Sequence, residues 1–171
     1  NIRGALYFEA NSYKKELRLT DGGAYDNMGL ESVAGFQTLI ASDAGAPFSM
    51  DVNASGLWLK QLSRVFSIST DQGRNLRRRL LHLARQGSGQ PYAIARIDRT
   101  IANRPAPQQI PFAEDRLARL AALRTRLDRF TEREQDNLIN WGWLSMDVNV
   151  RSWILKNAPA PTALPLPQHP A

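Results

Sequence analysis

A strand-like run that ends in an aspartate and two glycines, Leu17-Arg-Leu-Thr-Asp21-Gly22-Gly23, constrains this chain more than any other stretch. Leu17 and Leu19 alternate with Arg18 and Thr20, the period of a half-buried strand. Gly22 and Gly23 have no Cβ, so the backbone after the strand can turn through conformations closed to other residues. Asp21 is therefore expected at the carboxyl end of a strand, the edge where open α/β sheets hold their ligands. Taken alone, an Asp-Gly-Gly turn is ordinary architecture. The pattern needs support from elsewhere in the chain.

Four further stretches supply it. Tyr25-Asp26-Asn27-Met28-Gly29-Leu30-Glu31 follows the glycines directly, and Thr38-Leu-Ile-Ala-Ser-Asp43-Ala-Gly45 reads as a second strand closing on an aspartate. Gly89-Gln-Pro-Tyr-Ala-Ile-Ala-Arg-Ile97 reads as a third strand, and Leu127 to Gly142 as closing helices. In this order, over most of residues 1–155, the runs resemble the patatin-like phospholipases, including bacterial members, with Asp21-Gly22-Gly23 matching their Asp-Gly-Gly/Ala motif. The resemblance implies an α/β fold of patatin-like three-layer α/β/α architecture, of which this chain would hold the C-terminal part. It further implies that Asp21 is the acid of a Ser-Asp dyad acting on lipid esters without a cofactor. Gly22, Gly23, Asp26 and Asn27 would support the active-site turn. Asp26 and Asn27 suit that role on their own chemistry, because short polar side chains cap helix starts and bond to nearby backbone. Asp43 repeats the strand-Asp-small-Gly pattern, and the resemblance ranks it as a loop-ordering residue.

The nucleophile of that family is a serine in Gly-x-Ser-x-Gly, on a strand-to-helix elbow beside an oxyanion hole. No such pentapeptide occurs here; Ala54-Ser55-Gly56 and Gly87-Ser88-Gly89 are the nearest approaches, and neither has that setting. The serine is expected upstream, in an N-terminal remainder of the same protein, so the chain by itself is expected to be inactive. Histidine is scarce as well, with only His82 and His169. A Ser-His-Asp triad needs an imidazole between hydroxyl and carboxylate, whereas a dyad needs only a carboxylate within about 3 Å of the hydroxyl. His82 is expected to be a surface or interface residue.

The remaining composition narrows the partners. Zero cysteines exclude disulfides and thiolate metal sites, and two histidines do not make a zinc site. No acidic loop has calcium-ligand spacing, so no metal is expected. No apolar run reaches the length of a membrane span. Compartment stays open from cysteine usage, with a cytoplasmic or peripheral-membrane place favoured.

The formal charge is +6, and Arg74, Arg77, Arg78 and Arg79 cluster on one predicted helix. A solvated helix face, or a contact with the absent part, ranks first for this cluster. Peripheral contact with an anionic bilayer surface follows. Nucleic acid ranks last, because no recognition signature accompanies the charge. Two functional alternatives stand beside the hydrolase: a non-catalytic patatin-like module that binds lipid or protein, and a basic nucleic-acid-binding domain.

Coarse periodicity fills in the elements. Trp58, Leu62, Val65 and Phe66 have the spacing of a core-facing helical stripe, and Leu76, Leu80 and Leu83 repeat it in a second helix capped by Thr70 or Asp71. Leu39, Ile40 and the first stripe are expected to face surface contributed by the absent part. A helix starting near Ala113 carries Leu117 and Leu120, and Thr131-Glu-Arg-Glu134 fits a capping box. Residues 1–157 are read as the hydrolase portion. The uncharged, proline-rich 158–171 is read as a disordered or extended tail.

Overall fold

A computed structural model describes residues 23–45, 56–107, 110–124 and 128–168. Asp21, Gly22 and the strand expected over 17–20 lie outside them. The described residues have mixed α/β content. Two single-turn helices, α1 (Gly23–Asp26) and α2 (Leu30–Val33), lead into strand β1 (Leu39–Asp43), helix α3 (Trp58–Ser88) and strand β2 (Tyr92–Arg96). Helices α4 (Glu114–Ala121) and α5 (Glu132–Trp153) follow. Strands β1 and β2 pair in parallel, from Leu39 opposite Tyr92 to Asp43 opposite Arg96. Parallel neighbours need a long crossover, and α3 provides it.

Alternate residues of a strand point to opposite faces, and the two strands use this differently. Leu39 and Ala41 of β1 are buried with Leu30 of α2 and Leu81 of α3, and Tyr92 and Ile94 pack against the same group. On the other face Ala93 and Ala95 are buried, and α5 is the helix packed along β2. Two alanines leave room for a helix backbone to come close. Ile40, beside Ala93 in the pairing, is 55% exposed, so this face of β1 has no cover among the described residues.

Helix α3 differs from its expectation. The two predicted helices are one helix of 31 residues. Thr70 and Asp71 do not cap a start: the Thr70 hydroxyl donates to the Phe66 carbonyl one turn back, and Asp71 binds Arg74 and Asn75 one turn ahead. Both side chains are used within a continuous helix, so nothing interrupts it until Gly89, whose φ of 67° closes the C-terminus. The stripe of Trp58, Leu62, Val65 and Phe66, expected to face surface contributed by the absent part, has no cover among the described residues, where all four side chains are exposed. A 3.6-residue period shows which face is apolar and not whether anything lies against it. No helix among the described residues is long and apolar enough to cross a membrane.

The second core joins α4, α5 and the loops around them. Ile101, Ala106, Leu117, Leu120, Trp141, Leu144 and Val148 form it, with Phe112 against Trp141 at 4.5 Å between ring centroids. Arg151, buried on α5, pairs with Asp147 one turn back and donates to the Pro107 carbonyl at 2.7 Å. Ser152 accepts the Ala106 N–H and donates to the Val148 carbonyl. Both residues tie the loop after β2 to the helix. Residues 158–168 of the proline-rich segment form neither helix nor strand and run through bends and a turn. The Asn140 amide donates to the Leu166 carbonyl and accepts its N–H, each at 3.0 Å, while Leu164 packs on the core. A buried amide that answers both backbone groups of one residue works as a clamp.

The capping box forms at the start of α5: Thr131 accepts the Glu134 N–H, and Glu134 reaches back to the Thr131 N–H at 2.7 Å. Arg124 also binds Glu134, at 2.6 Å, and these interactions hold the carboxyl down at about 2 from an ordinary 4.5, with the Arg124 hydrogen bond the larger cause. A carboxyl whose pKa falls on folding stabilises the fold above its unfolded value and loses that effect as pH drops. Wild type is therefore expected to be more stable than Glu134→Gln at neutral pH, with the gap closing as pH falls from 4.5 toward 2. Urea denaturation across that range checks it; a gap that does not change with pH contradicts it.

Asn140→Ala removes both bonds to Leu166 and leaves that residue's backbone groups to find water. The expected loss is about 1–3 kcal/mol, together with faster hydrogen exchange at the Leu166 amide. Unchanged exchange there would show that the clamp does not hold the segment.

Candidate functional site

The carboxyl ends of β1 and β2 bring the chemistry together. Asp43 is the last residue of β1, and Arg96 is its partner at the end of β2. One turn of α3 passes over this edge and adds Arg74 and Arg78. The Asp43 side chain is 3% exposed; Oδ2 accepts from Arg78 at 2.6 Å, and Arg74 and Arg96 stand 3.5 and 3.9 Å away. Oδ1 accepts the Gly45 N–H at 3.3 Å, which turns the chain after the strand. A Cβ on Gly45 would run into the Arg74 guanidinium, so glycine gives that arginine its room. Asp43 thus acts as an anchor for three cations and a turn, in keeping with a loop-ordering role.

The residues named as supports of the catalytic turn lie beside this anchor. Gly23, expected in a turn, instead starts α1, and α2 is entered at Gly29 with φ 62°. Helix formation right after the glycines places Asp26 at the end of one turn and under the next. Asp26 Oδ2 accepts the Glu31 N–H at 3.0 Å, satisfying a donor in the first turn of α2. Its other oxygen lies 3.8 Å from Arg77, which also covers the Tyr25 ring at 4.7 Å. The Tyr25 hydroxyl donates to Glu31 at 2.7 Å, and that bond to a carboxylate raises the phenol's pKa. Asn27 is exposed beside them. Gly23, Asp26 and Asn27 line a small cavity of about 130 Å³ against Arg74 and Arg77. Asp21 and Gly22 lie outside the described residues.

Three of these α3 arginines are therefore not a solvated face, one of the two readings ranked first from sequence. Arg74, Arg77 and Arg78 turn inward toward Asp43 and Asp26. Arg79 alone of the four is exposed. Helical geometry explains the difference. Positions 74, 77 and 78 share one side of the helix, whereas 79 lies a further 100° around it.

A second, larger cavity opens on the other flank of β2. It measures about 860 Å³ and is bounded by α3, β2 and the C-terminal part of α5. Arg78, Arg79, Arg85, Arg96 and Arg104 line it, with Tyr92 and Trp153 as aromatic wall and no Asp or Glu among the lining residues. His82 is exposed at its rim with Nδ1 hydrogen-bonded to the Tyr92 hydroxyl. Burial raises the Tyr92 pKa against the opposing pull of Arg104. Burial also lowers the Arg96 pKa, and Arg78 and Arg99 push it the same way against the pull of Asp98 and Asp43. Sequence reasoning missed this cavity. The α3 residues 78, 79, 82, 85 and 86 do recur at helical spacing, a signal that could have been read, but no pattern connects them to Arg96 or Arg104.

Among the described residues no group of three histidines, cysteines or carboxylates is placed to hold a metal ion. No family model matches the chain, and neither a curated protein nor a solved structure matches it.

Arg78→Met leaves Asp43 buried without its nearest cation. Removing one partner of a buried pair costs about 3–5 kcal/mol, and the lower end is expected because Arg74 and Arg96 remain. Asp43→Asn combined with Arg78→Met should cost less than the sum of the single changes. Urea denaturation of the four proteins checks this, and simple additivity would show that the pair is not coupled.

Proposed function

We propose that this chain supplies the acid of a patatin-like lipid acyl hydrolase, within a three-layer α/β/α architecture whose nucleophilic serine lies in another part of the polypeptide. The observation that carries the reading is the run Leu17 to Glu31, with Asp21 at the end of a strand-like segment and the glycine pair behind it. Two structural features support it. The parallel β1–α3–β2 crossover is the repeating unit of layered α/β folds. Residues 25–31, directly downstream of the motif, are held by Asp26, Glu31 and Arg77, and a fixed segment of that kind suits the support of a catalytic carboxylate.

In this reading the serine hydroxyl attacks the ester carbonyl as Asp21 takes its proton. The proton then passes to the leaving alcohol, and attack by water on the acyl-enzyme releases the fatty acid. The substrate is a lipid ester, phospholipid or neutral, and the chemistry needs no cofactor. A second reading, a non-catalytic module that binds lipid or protein, is favoured by the exposed apolar side of Trp58, Leu62 and Phe66 and by the absence of Gly-x-Ser-x-Gly from the 171 residues.

The test uses a polypeptide that joins this chain to its serine-bearing segment. Asp21→Asn keeps the side chain's shape and removes its ability to accept a proton. Hydrolysis of a p-nitrophenyl ester is expected to fall about 100-fold or more, with the melting temperature unchanged. Unaltered hydrolysis in the variant would remove Asp21 from the mechanism. No hydrolysis by the wild-type polypeptide would favour the binding module.

A further inference from the structure

The cavity between α3, β2 and α5 has an unbalanced charge. Among the described residues five guanidinium groups border it and no carboxylate does. Asp43 and Asp98 reach Arg78 and Arg96 from outside the lining, and Asp43 is shared with Arg74 as well. Arg85 is the telling member. It is 3% exposed, yet its hydrogen bonds go to the carbonyls of Ala34 and Gln37 and the side-chain oxygen of Gln90, all neutral. A cation taken out of water without a counter-charge is costly, and here the missing charge has a space beside it. Arg79 reaches the same space and has no ion-pair partner among the described residues.

We infer that this cavity is a binding site for an organic phosphate, with the arginines holding the phosphate group and Tyr92 and Trp153 holding the organic part. Guanidinium groups match phosphate oxygens in paired, charge-assisted hydrogen bonds. A doubly charged phosphate monoester offsets more of the excess than a carboxylate does. Inorganic phosphate would leave most of about 860 Å³ empty, a volume within the usual range for small-molecule sites. Aromatic side chains and cations around one space fit a ligand with an apolar or ring portion next to its phosphate. That chemistry can come from a soluble phosphate ester or from the headgroup of a phospholipid with an exposed phosphate. The site does not involve Asp21, so it stands or falls separately from the hydrolase reading.

Titration of the chain with adenosine monophosphate, and separately with phosphatidylcholine vesicles with and without phosphatidic acid, tests the inference. Saturable binding of the nucleotide assigns a soluble ligand. Binding only to vesicles that contain phosphatidic acid assigns the lipid headgroup. In either case Arg79→Glu is expected to weaken binding about tenfold or more. Arg79 is exposed and Glu is a good helix former, so the variant should fold, which circular dichroism can verify. Arg119→Glu makes the same charge change on α4, away from the cavity, and should leave binding unaltered. Failure to bind either probe overturns the inference, as does an equal loss from Arg119→Glu, which would mark diffuse attraction to a basic protein. Tighter, strongly salt-dependent binding of a single-stranded oligonucleotide, weakened equally by both changes, overturns it as well.

Discussion

Asp43 is a carboxylate taken almost wholly out of water, and a charge in that position costs several kcal/mol unless cations and hydrogen bonds surround it. Meeting that requirement organises the N-terminal half of the described structure. Arg78 and Arg74 bring α3 across the ends of the strands, Arg96 joins from β2, and Gly45 turns the chain away with its N–H on the same carboxyl. The apolar contacts beneath, Leu39, Ala41 and Leu81 among them, make the sheet and helix adhere. Hydrophobic contact has little direction of its own. The ion cluster adds register, because a shift of α3 by one residue would swing Arg78 away from Asp43.

Helix α5 solves a different problem. It must close one side of β2 and hold long loops with little regular structure. Packing around Leu144 and Val148 supplies the adhesion, and polar side chains on the same helix supply the addresses. Arg151 reaches Pro107, Ser152 reaches Ala106, and Asn140 clasps Leu166. Each of these backbone groups would otherwise be left without a partner where water is scarce. Residues 158–168 are held through these contacts and not through any helical or strand propensity of their own.

Charge and apolarity are both left over after these demands are met. Among the described residues Arg79 and Arg85 reach no carboxylate, and both border the cavity beside β2. Apolar surface collects elsewhere, on Trp58, Leu59, Leu62, Val65 and Phe66 and on Ile40 of the sheet. Scattered exposed hydrophobic residues are normal, but a run of adjacent large ones on one helix is the kind of surface that marks an interaction site.

Local pattern decided much of this protein. The strand-like run closing on Asp43 and the β-prone run 92–97 placed β1 and β2, the Thr131 and Glu134 pair announced the start of α5, and Leu117 and Leu120 marked the buried side of α4. The role of Asp26 as a backbone acceptor was also legible, since a short carboxylate after a glycine pair has few other local uses. These features depend on neighbours in the chain, and a sequence lists neighbours. Tertiary structure alone decided which arginines turn inward, because the partners of Arg74 and Arg78 lie on a strand some thirty residues earlier. It alone decided that the Trp58 stripe stays exposed, that Asn140 holds a segment 26 residues away, and that Arg96 and Arg104 share a cavity with the face of α3. Periodicity marks the apolar or charged side of an element, while the identity of what lies against that side depends on how distant parts of the chain meet.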